Sequence, residues 1–178
     1  GYYDYANPHR PYFEGKGAFD GAWVHPQHWP EDLDSRGKRI VVIGSGATAI
    51  SLVPALAREA AQVTIVQRSP SYIAPWASRD GTINFLRRVL PDSFVDRLAR
   101  AKYIARDQGF FHLSRRAPNL GKKLLRAMVR WHVGKDFDLD THFTPRYGPW
   151  VQRLCLAPDG DLFDCIGAGR VDVRTAEI

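Results

Sequence analysis

The sequence predicts an α/β fold in which a parallel sheet of the Rossmann type carries a helical insertion. A strand, a glycine turn, a helix and a second strand follow one another within roughly 30 residues, 39–66. Residues 80–133 then have helical periodicity, and a last strand is expected near Val171 to Arg174. A chain of 178 residues is long enough for one such domain with an insertion.

The first 37 residues are rich in Tyr, Pro, Gly and His and have no sustained period, so we interpret them as an ordered linker. The linker contains the pattern F-x-G-x-x-x-H-x-x-x-W-P, formed by Phe19, Gly21, His25, Trp29 and Pro30. This pattern has three interpretations: a pair of metal ligands, a packing turn, or a joint between moving parts.

The metal interpretation requires His25 and His28 as two ligands. Pro26 opposes the helix that would align them, and no third ligand lies nearby in the sequence. We therefore expect no metal.

The first strand is predicted at residues 39–43, where four apolar β-branched residues precede Gly44, a pattern typical of a buried strand. A helix is predicted over residues 47–60, with Pro54 as an interior irregularity. The second strand is predicted at Val63 to Val66. A helix that connects two strands implies that the strands are parallel.

Residues 80–133 are predicted to form two or three helices, punctuated by Pro91 and Pro118. Apolar residues recur there at intervals of three and four, which is typical of helices. These residues are Phe94, Leu98, Ala101 and Ala105, followed further along the chain by Leu124, Met128 and Trp131. Residues 136–160 have loop composition, and a short helix is predicted near Leu162 to Ile166.

These elements divide the chain into three parts. Residues 1–37 are the interdomain linker, residues 38–78 and 145–178 the Rossmann-like domain, and residues 79–144 the helical insertion. No run approaches the ~20 apolar residues that span a bilayer. Cys155 and Cys165 fit neither a disulfide framework nor a zinc cluster, so we expect a reducing, cytoplasmic setting.

Positive charge is concentrated in residues 79–135. Fourteen basic and four acidic residues give this segment a net charge of +10, whereas eleven basic and fifteen acidic residues give the remainder −4. Such a segment suits nucleic acid, an anionic membrane surface or a phosphorylated cofactor.

The turn GSGATA has the pattern G-x-G-x-x-A between a predicted strand and a predicted helix, which is typical of a dinucleotide site. Gly44 allows a tight turn, Gly46 lets the backbone approach a pyrophosphate, and Ala49 keeps the helix close to the strand. The phosphates would lie on free N–H groups at the helix start. The predicted cofactor-binding residues of the turn are Gly44, Ser45, Gly46, Ala47, Thr48 and Ala49. A glycine turn that only packs is the alternative.

The end of the second strand, VTIVQRSP, indicates which dinucleotide binds. NAD and FAD sites usually place an acidic residue there to hold a ribose 2′-hydroxyl. Here Arg68 and Ser69 stand instead, and a guanidinium with a hydroxyl suits a 2′-phosphate. We predict NADP(H); the alternative is that Arg68 is an ordinary solvated residue.

With these motifs, the chain resembles the flavin-dependent monooxygenases of the Baeyer–Villiger type. The linker pattern matches that family's fingerprint at each fixed position, just before the glycine turn where the family carries it. The strings HPQHWPEDLD, VVIGSGATA, QRSPSYI and WVQRLCLAPDGDLF also look like members of this family. The resemblance covers the whole chain and is looser in the helical middle.

The resemblance implies roles for three further residues. His25 would couple the movement of the FAD and NADP domains without taking part in bond chemistry. Arg153 would lie beside the flavin, hold the nicotinamide and stabilise the negatively charged, oxygenated flavin. Many family members carry a lysine just before that arginine, which contributes to 2′-phosphate binding. Gln152 occupies the position here, which leaves more of the selectivity to Arg68.

The resemblance also implies an activity. NADPH would reduce FAD, and the reduced flavin would use O2 to convert a ketone to an ester or to oxidise a sulfide or thioamide. The family has two dinucleotide fingerprints and this sequence has one, while its first residue is Gly and its only methionine is Met128. We therefore expect a segment of a longer protein whose FAD domain lies elsewhere, with NADP binding but no turnover by this segment alone.

Two other classes of function remain open at this point. One is a flavin monooxygenase that hydroxylates nitrogen or sulfur, or an FAD/NADP reductase. The other is a non-enzymatic module whose basic helices bind nucleic acid or a membrane. We expect no nucleic-acid partner, whereas weak peripheral contact with a membrane is compatible with the enzyme.

Overall fold

The computed structural model describes residues 6–8, 11–152 and 154–177. The linker contains two short 3-10 helices, Lys16–Ala18 and Pro26–His28. The strands are β1 (Arg39–Ile43), β2 (Gln62–Gln67), β3 (Ile73–Trp76), β4 (Cys155–Pro158) and β5 (Val171–Thr175). The α-helices are α1 (Ala47–Leu56), α2 (Gly81–Leu86), α3 (Asp92–Arg116), α4 (Pro118–Val133), α5 (Leu139–Phe143) and α6 (Asp161–Gly167).

The strands form two parallel sheets. One has the order β1-β2-β5, with Val42 opposite Ile65 and Ile65 opposite Val173. The other pairs β3 with β4. The predicted fold class, α/β with a Rossmann-like parallel sheet and inserted helices, is confirmed. The short pair β3-β4 was not predicted, because SYIAPW and LCLAP lie among turn residues and show no clear alternation.

The main core lies where α1 and α6 pack against the sheets. Val53 of α1, Val63 of β2 and Phe163 of α6 are each fully buried. The ring of Phe163 meets the ring of Phe143 of α5 at a centroid distance of 5.2 Å. Because α5 belongs to the stretch between α4 and β4, this contact joins the helical segment to the sheet.

The inserted helices form a hairpin of α3 and α4 preceded by α2. The side chain of Asp80 caps α2 by accepting hydrogen bonds from the N–H groups of Thr82 and Ile83. At the turn of the hairpin, Gly121 lets the helices approach closely, since an added Cβ would lie 2.9 Å from Ser114 Oγ. Helix α4 also contacts α6 and β3, which anchors the hairpin to the sheet.

The two or three helices predicted over residues 80–133 are confirmed as α2, α3 and α4. In α3 the buried residues are Val95, Ala99 and Ser114, and in α4 they are Gly121, Leu125, Val129 and Val133. Four of the residues whose spacing indicated the helices, Phe94, Leu98, Leu124 and Trp131, are between 40% and 87% exposed. Each helix carries apolar residues on more than one side, so periodicity alone could not identify the covered side.

Strand β1 also differs from the expectation of a buried strand. It pairs only with β2 within the described residues, and Val41 and Ile43 are 61% and 43% exposed. A run of β-branched residues indicates a strand, but it does not show how many neighbours cover that strand.

The predicted boundaries hold in part. Strand β2, helix α6 and strand β5 lie within one or two residues of their predictions, whereas α1 ends at Leu56 instead of residue 60. Residues 136–160 contain α5 and β4 in addition to loops, so the purely loop-like interpretation is wrong. The division of the chain into linker, Rossmann-like domain and insertion stays a prediction.

Candidate functional site

The glycine turn follows β1 and has the backbone conformation that only glycine adopts without strain. Gly44 has a φ of +114°, and its N–H donates to the carbonyl of Val66 at 2.7 Å. A Cβ added to Gly44 or Gly46 would meet no atom within 4 Å. The space over both glycines is therefore open, which leaves room for a ligand group against the backbone.

Helix α1 begins directly after this turn, and no side chain caps its first N–H groups. Gly46 caps the helix and offers no side-chain acceptor, while Ala47 and Thr48 are exposed. The first N–H groups of an α-helix have no acceptor within the helix, and the helix dipole places partial positive charge there. An anion at this position would find both donors and a favourable field.

Ala49 lies on the inner side of the same turn and is 8% exposed. A small cavity of about 10 Å³ is bordered by Ser45, Ala49 and Gln67 along with core residues. This space is no larger than one water molecule needs, so α1 packs tightly on the sheet. A small residue at position 49 is what this close packing requires.

Arg68 and Ser69 follow the end of β2 and are both exposed. Because β1 and β2 are parallel and Ile43 pairs with Val66, both residues emerge at the edge of the sheet that carries the glycine turn. Arg68 makes no hydrogen bond or ion pair with any residue that the structure describes. The guanidinium is thus available to an external anion, and the role of Arg68 in nucleotide binding stays a prediction.

Gln67, the last residue of β2, is a feature that the sequence analysis missed. Its side chain is 1% exposed, and its Nε2 donates to the carbonyl of His142 at 2.7 Å and to Oγ1 of Thr175 at 2.9 Å. These bonds tie the strand end that precedes Arg68 to α5 and β5. The signal in the sequence was a polar residue that ends a buried strand, where a side chain must find internal partners.

His142 belongs to the same network, with Nδ1 2.9 Å from Thr175 Oγ1. Since Thr175 accepts a hydrogen bond from Gln67, its own O–H is free to donate to the neutral imidazole. Burial lowers the pKa of His142, with a smaller opposing effect of Asp138. The structure therefore favours the uncharged ring.

His25 lies in the linker, where its Nδ1 accepts a hydrogen bond from the N–H of Gln27 at 3.2 Å. The side chain thus bonds to linker backbone at the start of the second 3-10 helix. Its role in domain coupling stays a prediction. The described residues contain no group of three or more histidines, cysteines or acidic residues close enough to hold a metal ion.

The spacing F-x-G within the linker has a packing reason. A Cβ on Gly21 would lie 2.5 Å from the ring of Phe19, so the glycine makes room for this ring. Phe19 and Phe13 also contact the ring of Trp23, at centroid distances of 6.3 and 5.5 Å. The first half of the fingerprint is therefore a compact aromatic cluster.

The segment before β4 carries the last two predicted site residues. Gln152 is exposed, and Arg153 lies outside the described residues. Trp150 precedes them with a φ of 67°, and its ring lies against those of Phe110 and Phe111 in α3. This contact links the segment to the helical insertion; the roles of Gln152 and Arg153 stay predictions.

The sequence is similar to those of several known proteins. A family model described as flavin-binding monooxygenase-like matches residues 1–108. Over the full chain, the sequence is 46% identical to the probable FAD-binding monooxygenase AlmA of Acinetobacter baylyi and 47% identical to the FAD-containing monooxygenase EthA of Mycolicibacterium smegmatis. It is also 47% identical to the putative FAD-containing monooxygenase MymA of Mycobacterium tuberculosis. The chain spans 36% to 37% of the length of these relatives.

Solved structures share the fold at lower identity. A steroid monooxygenase bound to NADP aligns over 95% of this chain and 39% of its own, with a TM-score of 0.67 and 20% identity. OTEMO in complex with FAD and NADP covers the same shares with a TM-score of 0.67 and 18% identity. A cyclohexanone monooxygenase from Rhodococcus bound to NADP+ aligns over 94% of this chain and 38% of its own, with a TM-score of 0.64 and 16% identity.

Proposed function

Because the chain belongs to the flavin-binding monooxygenase-like family, we propose that it is the NADP(H)-binding part of an FAD-dependent monooxygenase. The observation that carries the proposal is the open glycine turn beside a free guanidinium. Gly44 has a conformation that other residues adopt only with strain, no side chain fills the space over Gly46, and Arg68 has no partner among the described residues.

The residues of this chain would hold NADP(H) in two places. The N–H groups at the start of α1 would bind the pyrophosphate, and Arg68 with Ser69 would bind the 2′-phosphate of the adenosine ribose. The bound nucleotide would supply a hydride to the flavin. Gly46 contributes by leaving space for the phosphates. Ala49 contributes by being small enough for α1 to pack closely on the sheet.

Within the longer enzyme, we propose oxygen insertion next to a ketone carbonyl or oxidation of a sulfide or thioamide sulfur. Support comes from relatives that are named FAD-containing monooxygenases and from the fold shared with a cyclohexanone monooxygenase. Assay of the full-length protein on ketones, amines and sulfides would test this part. Turnover of amines alone would favour the N-hydroxylating alternative.

Two further parts of the proposal concern location. We propose a reducing, cytoplasmic setting, supported by the thiol of Cys165, which is buried and forms no disulfide. We also propose that the insertion makes a weak peripheral contact with an anionic membrane, supported by the charge of +10 over residues 79–135. Recovery of the native protein only from an oxidising compartment would contradict the first part.

The central test is a calorimetric titration of the chain with NADPH and with NADH, repeated on Arg68→Ala. A charge-assisted contact to phosphate is worth about 1.5–3 kcal/mol, so we expect the variant to lose on the order of tenfold to a hundredfold in NADPH affinity. Its affinity for NADH should stay unchanged. The matched control is Arg58→Ala, which removes an exposed arginine just beyond the other end of α1.

Equal affinity for the two nucleotides, unchanged in Arg68→Ala, would contradict the proposed cofactor. Loss of affinity in Arg58→Ala to the same extent would show that Arg68 acts only through the overall charge. Oxygenation of a substrate by this chain supplied with only FAD and NADPH would contradict the assignment of flavin binding to other segments.

A further inference from the structure

The outward face of α4 carries a stripe of exposed apolar side chains. Leu120, Leu124 and Trp131 are 45%, 40% and 87% exposed, and Ala127 between them is exposed as well. Their spacing of four, three and four residues places them on one side of the helix. The residues that α4 buries against its neighbours lie on the opposite side, so α4 has a second apolar face that no described residue covers.

The same helix has a one-sided charge. It contains four basic residues and no acidic one. Arg126 is paired with Asp140, and Arg130 donates to three backbone carbonyls beyond the end of the helix. Lys123 is exposed, makes no ion pair with the described part of the chain and lies about 60° around the helix from Leu120, beside the apolar stripe. Lys122 lies on the opposite side of α4, near the buried Val129 and Val133.

We propose that this outward face of α4 docks on the surface of an anionic lipid bilayer, with Trp131 in the interface and Lys123 at the headgroups. An interfacial helix combines an apolar face that contains Trp or Leu with flanking Lys and Arg. Tryptophan is favoured at this depth because its ring is apolar while its N–H reaches water. The inference rests on the membrane contact proposed above and makes it specific, but it is independent of nucleotide binding.

Other occupants fit the face less well. A nucleic acid would use Lys123 but leave the Leu120–Leu124–Trp131 stripe in water. A second copy of the chain, meeting the same face symmetrically, would bring its own Lys123 toward this lysine without an acidic residue on α4 to compensate. No helix in the described ranges is long and apolar enough to cross a membrane, so the contact would be peripheral.

The test is sedimentation of the complete chain with vesicles of phosphatidylcholine, with and without phosphatidylserine. We expect binding only to the vesicles that contain phosphatidylserine, with affinity that decreases as salt increases. Trp131→Ala should weaken binding about tenfold, since it removes the ring that enters the interface. Lys123→Ala should weaken binding about fivefold, because a lysine near an anionic surface contributes to the attraction.

The matched control is Tyr12→Ala, which removes an aromatic side chain that is 88% exposed, far from α4 in the sequence. This variant should bind vesicles like the wild type. Circular dichroism and NADPH titration on each sample establish that the variants are folded. The NADPH titration also separates the two proposals. A chain that binds NADPH but no vesicles would contradict the docking surface and leave the proposed nucleotide site intact.

Four results would overturn the docking. Equal binding to neutral vesicles would remove the role of charge, and vesicle binding unaffected by Trp131→Ala would place the contact elsewhere. A dimer that dissociates in Trp131→Ala, with no vesicle binding, would assign the face to a second copy. A salt-sensitive mobility shift with duplex DNA, lost in the lysine variant and without vesicle binding, would assign it to nucleic acid.

Discussion

The Rossmann-like part of the molecule differs from the helical insertion in which apolar and polar groups it buries and which it exposes. The first, residues 38–78 and 145–177, buries Val53, Val63 and Phe163 completely and leaves backbone N–H groups open at the start of α1. The insertion, residues 79–144, leaves Trp131 and Leu124 in solvent. The first arrangement fits an ionic small molecule that binds to backbone, and the second fits an extended apolar and anionic surface.

The difference should be largest in stability. Phe163→Ala removes a fully buried ring that packs on Phe143, and we expect the free energy of unfolding to fall by about 3–5 kcal/mol. Trp131→Ala removes a larger side chain that is 87% exposed, and the change should stay within about 0.5 kcal/mol. Urea denaturation of both variants measures the contrast. A comparable loss in Trp131→Ala would mean that the outward face of α4 is covered.

Sequence reasoning succeeded where a local pattern carries its own physical cause. The strand, glycine turn and helix at residues 39–56 were predicted because G-x-G-x-x-A restricts backbone conformation and space over a few residues. The structure has the positive φ of Gly44 and the open space that this pattern requires. The predicted family was confirmed for the same reason, since its fingerprints are short and specific.

It failed where the answer depends on distant parts of the chain. Helices α3 and α4 were predicted, but not the sides that they bury, because both have several apolar stripes and only packing decides which one is covered. Gln67 was missed because its partners, His142 and Thr175, lie 75 and 108 residues away. The non-enzymatic interpretation of the basic helices came from charge alone, and membership in a monooxygenase family does not favour it.

The second contrast concerns two glycines that precede or begin helices in the two halves. Gly46 caps α1 and Gly81 begins α2, and an added Cβ would meet nothing within 4 Å at either position. Gly46→Val should therefore change the free energy of unfolding by no more than about 1 kcal/mol, but its side chain would occupy the space needed by the pyrophosphate. We expect NADPH affinity to fall at least about tenfold.

Gly81→Val is the control, since it adds the same side chain at an open helix start in the insertion. Its NADPH affinity should equal that of the wild type in the same calorimetric titration. Unchanged affinity in Gly46→Val would remove the glycine turn from the nucleotide site. An equal loss in both variants would mean that the effect is not local.

The smallest contrast concerns two histidines and the response of stability to pH. Because burial lowers the pKa of His142 below its ordinary value of 6.5, the unfolded state binds a proton more readily than the folded state. The contribution of His142 to stability is therefore present above pH 6.5 and is lost as the pH falls through that value.

His142→Asn keeps a hydrogen-bonding partner for Thr175 but cannot titrate, so its unfolding free energy should fall less than that of the wild type between about pH 7.5 and about pH 5.5. The control is His112→Asn, the same substitution at an exposed histidine of α3. The expected difference is under about 1 kcal/mol because the ring of His142 is only half-buried. Parallel profiles for the wild type and His142→Asn in urea titrations would mean that the Gln67–Thr175–His142 network tolerates a charged ring.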